Sequence, residues 1–271
     1  MTDALVLAQA EGGLLRVTLN RPEKLNALSP DLLEMLRDVF ETHAADAGLK
    51  AAVLRGMGDK SFAAGGDLRV LSGIRTLDGA MEMADHAKEM LEPIRRFPVP
   101  VIAVLNGDAL GGGAELAMAC DFRVAAVHAR IGFVQGRLNI STAWGGGIDL
   151  MQRIGASRGL GLLCRSELLD CESAMAGGVI DSFPREGQSL DDHLAEFLAP
   201  ILRQKTQTLR AFKALARGVR EGLPRTELYR LETRMLAEAW VHPDHWEAAD
   251  KVLQRSKVPT RDNVQKRSGG E

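Results

Sequence analysis

The sequence has few cysteines, few aromatic residues, no excess of either charge and no long hydrophobic run. Its 271 residues include 34 Lys and Arg against 36 Asp and Glu, a formal charge of -2, and neither sign forms a long block. Because charge-driven binding to nucleic acid or a membrane surface needs a basic stripe, we expect neither kind of partner. Apolar runs such as Val99–Leu105 are far too short to span a bilayer.

The cysteines and histidines do not predict a disulfide framework or a metal site. The three cysteines, Cys120, Cys164 and Cys171, are far apart and form no CxxC pair, which is typical of reduced core thiols in a cytoplasmic protein. His242 and His245, in "HPDH", are more typical of surface groups than of metal ligands. The first residues lack the cationic and apolar segments of a signal peptide, so we expect a cytoplasmic protein.

Residues 1–189 alternate between strand and helix patterns, which predicts an α/β fold. Ser29 and Pro30 are expected to cap and open the first long helix. A second helix is predicted over about Leu77–Leu91, closed by Pro93.

Residues 190–271 change to long amphipathic helices without any strand pattern. The final polar stretch, residues 256–271, is predicted to be disordered. One apolar helix face is expected to pack partly against neighbouring subunits, although it could equally fold back on its own domain; it comprises Leu228, Leu231, Met235, Leu236 and Trp240.

Two glycine-rich corners follow buried strands, at residues 61–68 ("SFAAGGDL") and 106–116 ("NGDALGGGAEL"). Each corner can turn a backbone N–H outward, and glycine lets a ligand approach closely. Two such N–H groups aimed at one point form an oxyanion hole, and the dipole of the helix that begins at the second corner adds to it. Either corner alone is also typical of a tight turn, and neither matches a nucleotide-binding loop.

Glu115 lies among small apolar residues in the second corner. A buried carboxylate is costly unless it is paired or protonated, and apolar surroundings raise its pKa, which suits general acid–base work. A solvated surface glutamate is the alternative, but the neighbours Ala114, Leu116 and Ala117 argue against it. We therefore predict that Glu115 is functional.

Four stretches, in this order and spacing, resemble the crotonase (enoyl-CoA hydratase/isomerase) superfamily over residues 5–255: "NRPEKLNALS", "RGMGDKSFAAGGDL", "NGDALGGGAELAMACDFRVA" and "AWGGGIDLMQRIG". The resemblance implies an α/β spiral of repeating ββα units with a helical C-terminal region that assembles homotrimers or hexamers. It also implies coenzyme A thioester substrates and an enolate intermediate. Coenzyme A is then part of the substrate, and no separate cofactor is expected.

The same resemblance assigns the site residues. The backbone N–H groups of Gly66 and Gly112 would be the oxyanion donors, and Glu115 would be one of the two acid–base glutamates. Asp67, Leu68 and Arg69 match the substrate-lining stretch, in which Asp67 is expected to cap the following helix. Arg69 stands where many members place a lysine near coenzyme A, but a solvated arginine is as good an explanation.

The second glutamate of the hydratases is missing. Hydratases carry it in an "FGxPE" stretch, ten residues before the paired glycines, and here the residue ten before Gly145 is Gln135. A glutamine exchanges hydrogen bonds but cannot relay a proton near neutral pH. Hydration or isomerisation with two carboxyl groups is therefore disfavoured.

Decarboxylation of a malonyl-CoA-type thioester needs the oxyanion hole and only one carboxyl group, because loss of CO2 itself generates the enolate. Trp144 in "AWGG" and the stretch "LAEAWVHPDHWEAADKVL" resemble the ethylmalonyl-CoA and methylmalonyl-CoA decarboxylase branch. Trp144 would then line the acyl pocket, although a packed core indole is the alternative. A hydratase or isomerase with a replaced second glutamate, and a non-catalytic acyl-CoA-binding member, stay open.

Overall fold

The strands of the computed structural model, which describes residues 4–256, form two sheets. The larger sheet has five strands in the order β1 (Val6–Glu11), β2 (Leu14–Leu19), β3 (Ala51–Gly56), β5 (Val101–Leu105) and β7 (Phe122–Ala125). The smaller sheet has the order β4 (Ser61–Ala63), β6 (Asp108–Leu110) and β8 (Ile131–Gly132). β1 and β2 pair antiparallel, and every other pair is parallel.

The helices of the first part of the chain are α1 (Pro30–Ala44), α2 (Leu68–Leu71), α3 (Leu77–Arg95), α4 (Gly112–Ala119), α5 (Gly146–Ile154), α6 (Ala156–Arg165) and α7 (Cys171–Ala176). The remaining helices are α8 (Leu190–Leu202), α9 (Thr206–Arg220), α10 (Arg225–Trp240) and α11 (Pro243–Ser256). Short 3-10 turns cover Pro22–Lys24 and Val134–Leu138.

Within residues 4–256 one ββα unit repeats three times, which confirms the spiral implied by the resemblance. Each unit places one strand in the larger sheet and one in the smaller sheet before it enters a helix: β3-β4-α2-α3, β5-β6-α4 and β7-β8-α5. Because each unit returns through a helix, equivalent strands run parallel, and the loops after β4 and β6 emerge at the same edge.

Strands in the middle of the larger sheet are buried on both faces, which is why they appear as continuous apolar runs in the sequence. In β3, Ala52 and Leu54 belong to the main core, whereas Ala51 and Val53 face the opposite layer. That opposite layer is covered mainly by α8, which contributes Leu198. The alternation follows from the two-residue period of a strand.

Two local predictions for helix ends have different outcomes. The prediction for α1 is confirmed, because the Ser29 side chain accepts from Leu32 N and Pro30 is the first helical residue. The prediction that α3 ends at Leu91 before Pro93 is wrong, because α3 continues to Arg95 with Pro93 inside it. Pro93 removes one N–H donor, but the fully buried Ile94 anchors the final turn in the core.

The C-terminal part, over residues 190–256, is helical as predicted. α8 packs directly on the larger sheet, so this helix shares a hydrophobic cluster with the α/β part of the chain. The division into two domains at residue 189 stays a prediction. The predicted apolar face of α10 folds back in part on its own chain, because the half-buried Leu228 and Leu231 lie against Gly218 of α9. Leu236 and Trp240 of the same face are exposed, and subunit packing there stays a prediction. Among residues 4–256, none of the helices combines the length and apolar character needed to cross a membrane. Of the tail predicted to be disordered, residues 257–271 lie outside the described residues.

Candidate active site

The two glycine-rich corners lie side by side. β4 and β6 pair in parallel with Ala63 opposite Ala109, so the chain leaves both strands at one edge. Gly65 has φ +102° and Gly111 has φ +53°, backbone conformations that glycine adopts readily and other residues rarely do. A Cβ built on Gly65 would stand only 3.5 Å from the amide nitrogen of Gly112. The sheet pairing therefore brings two loops that are distant in sequence into contact.

The backbone N–H groups of Gly66 and Gly112 are unused donors. Leu28 N donates to Gly65 O and Asp67 N donates to Leu28 O, which skips the N–H of Gly66. Gly112 is the first residue of α4, where an N–H has no acceptor within the helix. Within residues 4–256 neither N–H donates to a protein group, and both glycines are half-buried. The pair therefore has the chemistry of an oxyanion hole.

The indole of Trp144 forms a wall beside both corners. A Cβ added to Gly112 would lie 2.4 Å from the indole, and one added to Gly66 would lie 3.4 Å from it. Any side chain at position 112 would therefore collide with the ring. Trp144 is 7% exposed and packs in the main core, and its lining of an acyl pocket stays a prediction.

Glu115, in the first turn of α4, is 2% exposed, and its carboxylate accepts four hydrogen bonds. Oε2 accepts from Trp144 N at 2.9 Å and from Gly146 N at 3.0 Å. Oε1 accepts from Gln135 Nε2 at 2.9 Å and from Ala143 N at a long 3.4 Å. The buried carboxylate therefore has the partners that burial requires.

Glu115 also acts as a cap for α5, a role that the sequence did not reveal. The N-cap residue of α5, Gly145, has no side chain, and the carboxylate supplies the acceptor from another helix. A Cβ on Gly146 would lie 2.3 Å from the Cα of Glu115, so glycine is required where the two helices meet. The run of glycines in "AWGGG" is the sequence feature that could have indicated this close contact between α4 and α5.

Burial raises the pKa of Glu115. The N–H groups of Trp144, Gly146 and Ala143 and the amide of Gln135 pull the pKa down, but burial prevails and the net direction is upward. The carboxyl group therefore binds a proton more readily than an exposed glutamate does.

Gln135 lies on the 3-10 turn Val134–Leu138, 8% exposed, with its amide donating to Glu115. Its Oε1 is buried and, among the described residues, accepts no hydrogen bond. The spacing from Gly145 thus located the residue that faces Glu115. That residue is an amide, not a second carboxyl group.

The three residues after Gly66 differ in their exposure to solvent. Asp67 is 5% exposed, caps α2 by accepting from Arg69 N and Val70 N, and forms a 2.7 Å ion pair with Arg21. Burial raises the pKa of Asp67, but Arg21 and the two N–H groups outweigh it and hold the pKa below its usual value. Leu68 and Arg69 are exposed. A contact of Arg69 with coenzyme A stays a prediction.

Asn26, in "NRPEKLNALS", holds the first corner in place. Its side chain accepts from Arg21 N and donates to Met57 O and Ser61 O, which ties the motif to the start of β4. This part of the motif is therefore a scaffold for the corner at Gly66.

Other parts of the described chain do not extend the site. The three cysteines are free, and the prediction of core thiols is confirmed for Cys120 and Cys171 but wrong for Cys164, which is exposed on α6. Within residues 4–256 no group of three or more His, Cys, Asp or Glu is placed to hold a metal. A cavity of about 610 Å³ lies away from Glu115, between α9 and the C-terminal end of α4, with Met118, Phe122 and Phe212 among its lining residues.

Comparisons with known proteins agree on the family, and the relatives' names divide between two activities. The family described as enoyl-CoA hydratase/isomerase matches residues 9–259. The crotonyl-CoA hydratase of Syntrophomonas wolfei is 30% identical over 211 residues, 78% of this chain and 80% of that protein. The ethylmalonyl-CoA decarboxylase of Homo sapiens is 30% identical over 249 residues, 90% of this chain and 80% of that protein. The crystal structure of enoyl-CoA hydratase from Mycobacterium smegmatis superposes with a TM-score of 0.85 at 26% identity, over 93% of this chain and 97% of that one.

Proposed function

The chain belongs to the enoyl-CoA hydratase/isomerase family, and from this membership we propose that it decarboxylates a short branched malonyl-CoA-type thioester. The observation that carries the proposal is the pair formed by Glu115 and Gln135. One carboxyl group next to two free N–H donors is sufficient for decarboxylation, whereas hydration in this family uses two carboxyl groups. The likeness to ethylmalonyl-CoA decarboxylase supports the same choice.

The thioester oxygen accepts hydrogen bonds from the N–H groups of Gly66 and Gly112. The bond between Cα and the carboxylate carbon breaks, CO2 leaves, and the electron pair of that bond forms the enolate. Negative charge then develops on the oxygen that the two N–H groups face. One donor of this kind contributes about 3–4 kcal/mol to the stability of a transition state.

Glu115 supplies the proton that converts the enolate into the product. Cα takes the proton, Glu115 becomes a carboxylate, and solvent returns one proton for each CO2 released. The proton belongs on Oε1. Two short backbone bonds hold Oε2, whereas Oε1 accepts a long 3.4 Å bond from Ala143 N and a 2.9 Å bond from the Gln135 side chain, whose amide can flip. The raised pKa of Glu115 favours this protonated state before the reaction.

Gln135 suits a partner that alternates between acid and carboxylate. Its amide donates to the carboxylate form of Glu115, and a flip of the amide presents Oε1 as an acceptor for the acid form. Oε1 is the atom that accepts no hydrogen bond in the described residues.

A second candidate is hydration of an enoyl-CoA. The same unpartnered Oε1 of Gln135 is an acceptor that can orient a water molecule, and several relatives carry hydratase names, including that of Syntrophomonas wolfei. Glu115 would then be the only proton-transfer group.

The proposal has a recognition part and an assembly part. Arg69, exposed on α2, would contact the coenzyme A phosphates, and the apolar face of α10 would join subunits into a trimer or hexamer. An Arg69→Gln variant is expected to raise KM without changing kcat. Light scattering after size-exclusion chromatography measures the assembly, and a monomer contradicts the second part.

The test gives purified protein crotonyl-CoA, methylmalonyl-CoA and ethylmalonyl-CoA separately and follows loss of CO2 or gain of water by mass spectrometry. Glu115→Gln is the active-site variant, and Glu41→Gln, at an exposed glutamate on α1, is the matched control. We expect loss of CO2, incorporation of one deuterium at Cα in D2O, and a decrease of about 10²–10⁴-fold in Glu115→Gln only.

Each other outcome contradicts the proposal. Rapid hydration of crotonyl-CoA that depends on Glu115 establishes the second candidate. Tight binding of the thioesters without turnover identifies a non-catalytic acyl-CoA-binding protein.

A further inference from the structure

Arg95, the last residue of α3, makes contacts that no sequence motif indicated. Its Nη2 donates to the carbonyl oxygen of Trp144 at 2.8 Å, and its Nε donates to Asp149 Oδ2 at 3.0 Å. The Arg95 and Asp149 side chains are each 17% exposed, so solvent screens the pair only weakly. The guanidinium thus connects the end of α3 to the segment before α5 and to the first turn of α5.

Trp144 is consequently held at both backbone polar groups. Its N–H donates to Glu115 Oε2, and its carbonyl accepts from Arg95. The backbone of Trp144 cannot rotate without breaking one of these bonds. At the next residue, Gly145, φ is +92°, and a Cβ there would lie 2.6 Å from the guanidinium, so the segment and the arginine fit closely.

We propose that Arg95 is a positioning residue: it fixes the backbone of Trp144 so that the N–H reaches Glu115 and the indole stays against Gly66 and Gly112. The catalytic part of this inference rests on the proposed function, because it takes Glu115 as the proton-transfer group. The positioning of Trp144 itself does not depend on which thioester is turned over.

Arg95→Lys is the informative variant. Lysine keeps the positive charge beside Asp149, but a single ammonium cannot reproduce the planar fork that serves Asp149 and the Trp144 carbonyl together. Arg96→Lys is the matched control, because Arg96 is the adjacent arginine, is exposed, and pairs with Glu92 without touching Trp144.

The readout that is independent of substrate is the fluorescence of Trp144. The other two tryptophans, Trp240 and Trp246, lie exposed on α10 and α11 and are replaced by phenylalanine in every variant. Acrylamide quenching then reports access to Trp144 alone. We expect Arg95→Lys to increase the quenching constant several-fold, and Arg96→Lys to leave it unchanged.

The catalytic readout uses whichever of the three thioesters the protein converts. Arg95→Lys is expected to lower kcat by about tenfold to a hundredfold, the effect of small misplacements of reacting groups, while KM stays the same. A general loss of folded protein would instead lower the active fraction in parallel with the folded signal in circular dichroism. If Arg95→Lys does not fold, Asp149→Asn takes its place, because it removes one anchor of the guanidinium and is expected to change both readouts in the same direction.

The inference is overturned if Arg95→Lys and Arg96→Lys show equal quenching. It is also overturned if quenching rises while kcat is unchanged, or if kcat falls while quenching is unchanged. Absence of turnover in the unsubstituted protein contradicts the proposed function only, and the quenching comparison then decides whether Arg95 positions Trp144.

Discussion

Replacing Glu115 by alanine and by glutamine separates its role in holding α5 from its role in proton transfer. In the alanine variant, the N–H groups of Trp144 and Gly146 lose their acceptor, and the amide of Gln135 loses its partner. In the glutamine variant, the new amide oxygen can take the place of Oε2. The new NH2 group then faces Gln135, whose amide can flip to accept from it.

The difference in stability follows from the number of buried donors. Two backbone donors, bonded at 2.9 and 3.0 Å in the native protein, remain unpaired in Glu115→Ala. Each unsatisfied buried donor costs about 1–3 kcal/mol, so Glu115→Ala should be about 2–6 kcal/mol less stable than Glu115→Gln. For a protein of this size that corresponds to a Tm lower by at least about 4 °C.

Thermal unfolding followed by circular dichroism measures the first role, and turnover of the active thioester measures the second. Both variants lack a carboxylic acid, so both should lose about 10²–10⁴-fold in kcat although only one is strongly destabilised. Equal Tm values for the two variants would refute the capping role. Full activity in Glu115→Gln would refute proton transfer by Glu115.

Three further predictions concern the surroundings of the site. Gly112→Ala places a methyl group against the Trp144 indole and should lower kcat by about 10²-fold or more, measured on folded protein. Gln135→Glu puts a second carboxyl group in contact with Glu115, so the pH–rate profile should move to higher pH, because like charges raise the pKa of one member. Asp67 has a lowered pKa, so it stabilises the fold above its ordinary pKa of 3.8, and that contribution is lost as the pH falls. Asp67→Asn should therefore flatten the acid limb of a plot of stability against pH.

Each of these predictions has a result that contradicts it. Unchanged kcat in Gly112→Ala would mean that the N–H at position 112 does not face the reacting oxygen. An unchanged pH–rate profile in Gln135→Glu would show that position 135 takes no part in proton transfer. An acid limb that persists in Asp67→Asn would assign the acid sensitivity to other carboxylates.

Several features were predictable because their causes are local. The cap at Ser29 and the buried strands before the two glycine-rich corners depend on residues next to one another, and both were found where predicted. The end of α3 was not predictable from Pro93, because the burial of Ile94 is a property of the folded core. For Trp144, the sequence offered an acyl-pocket wall or a core residue, and the structure places it in the core beside both corners.

By itself, the sequence determined the alternating α/β pattern, the two glycine corners, the candidate carboxyl group at Glu115 and the amide at Gln135. Only the tertiary structure decided how these groups act on one another. Trp144 N reaches Glu115 across 29 positions of the chain, and Arg95 reaches the Trp144 carbonyl across 49. The direction of such hydrogen bonds depends on how helices α3, α4 and α5 pack, and periodicity along the chain carries no information about it.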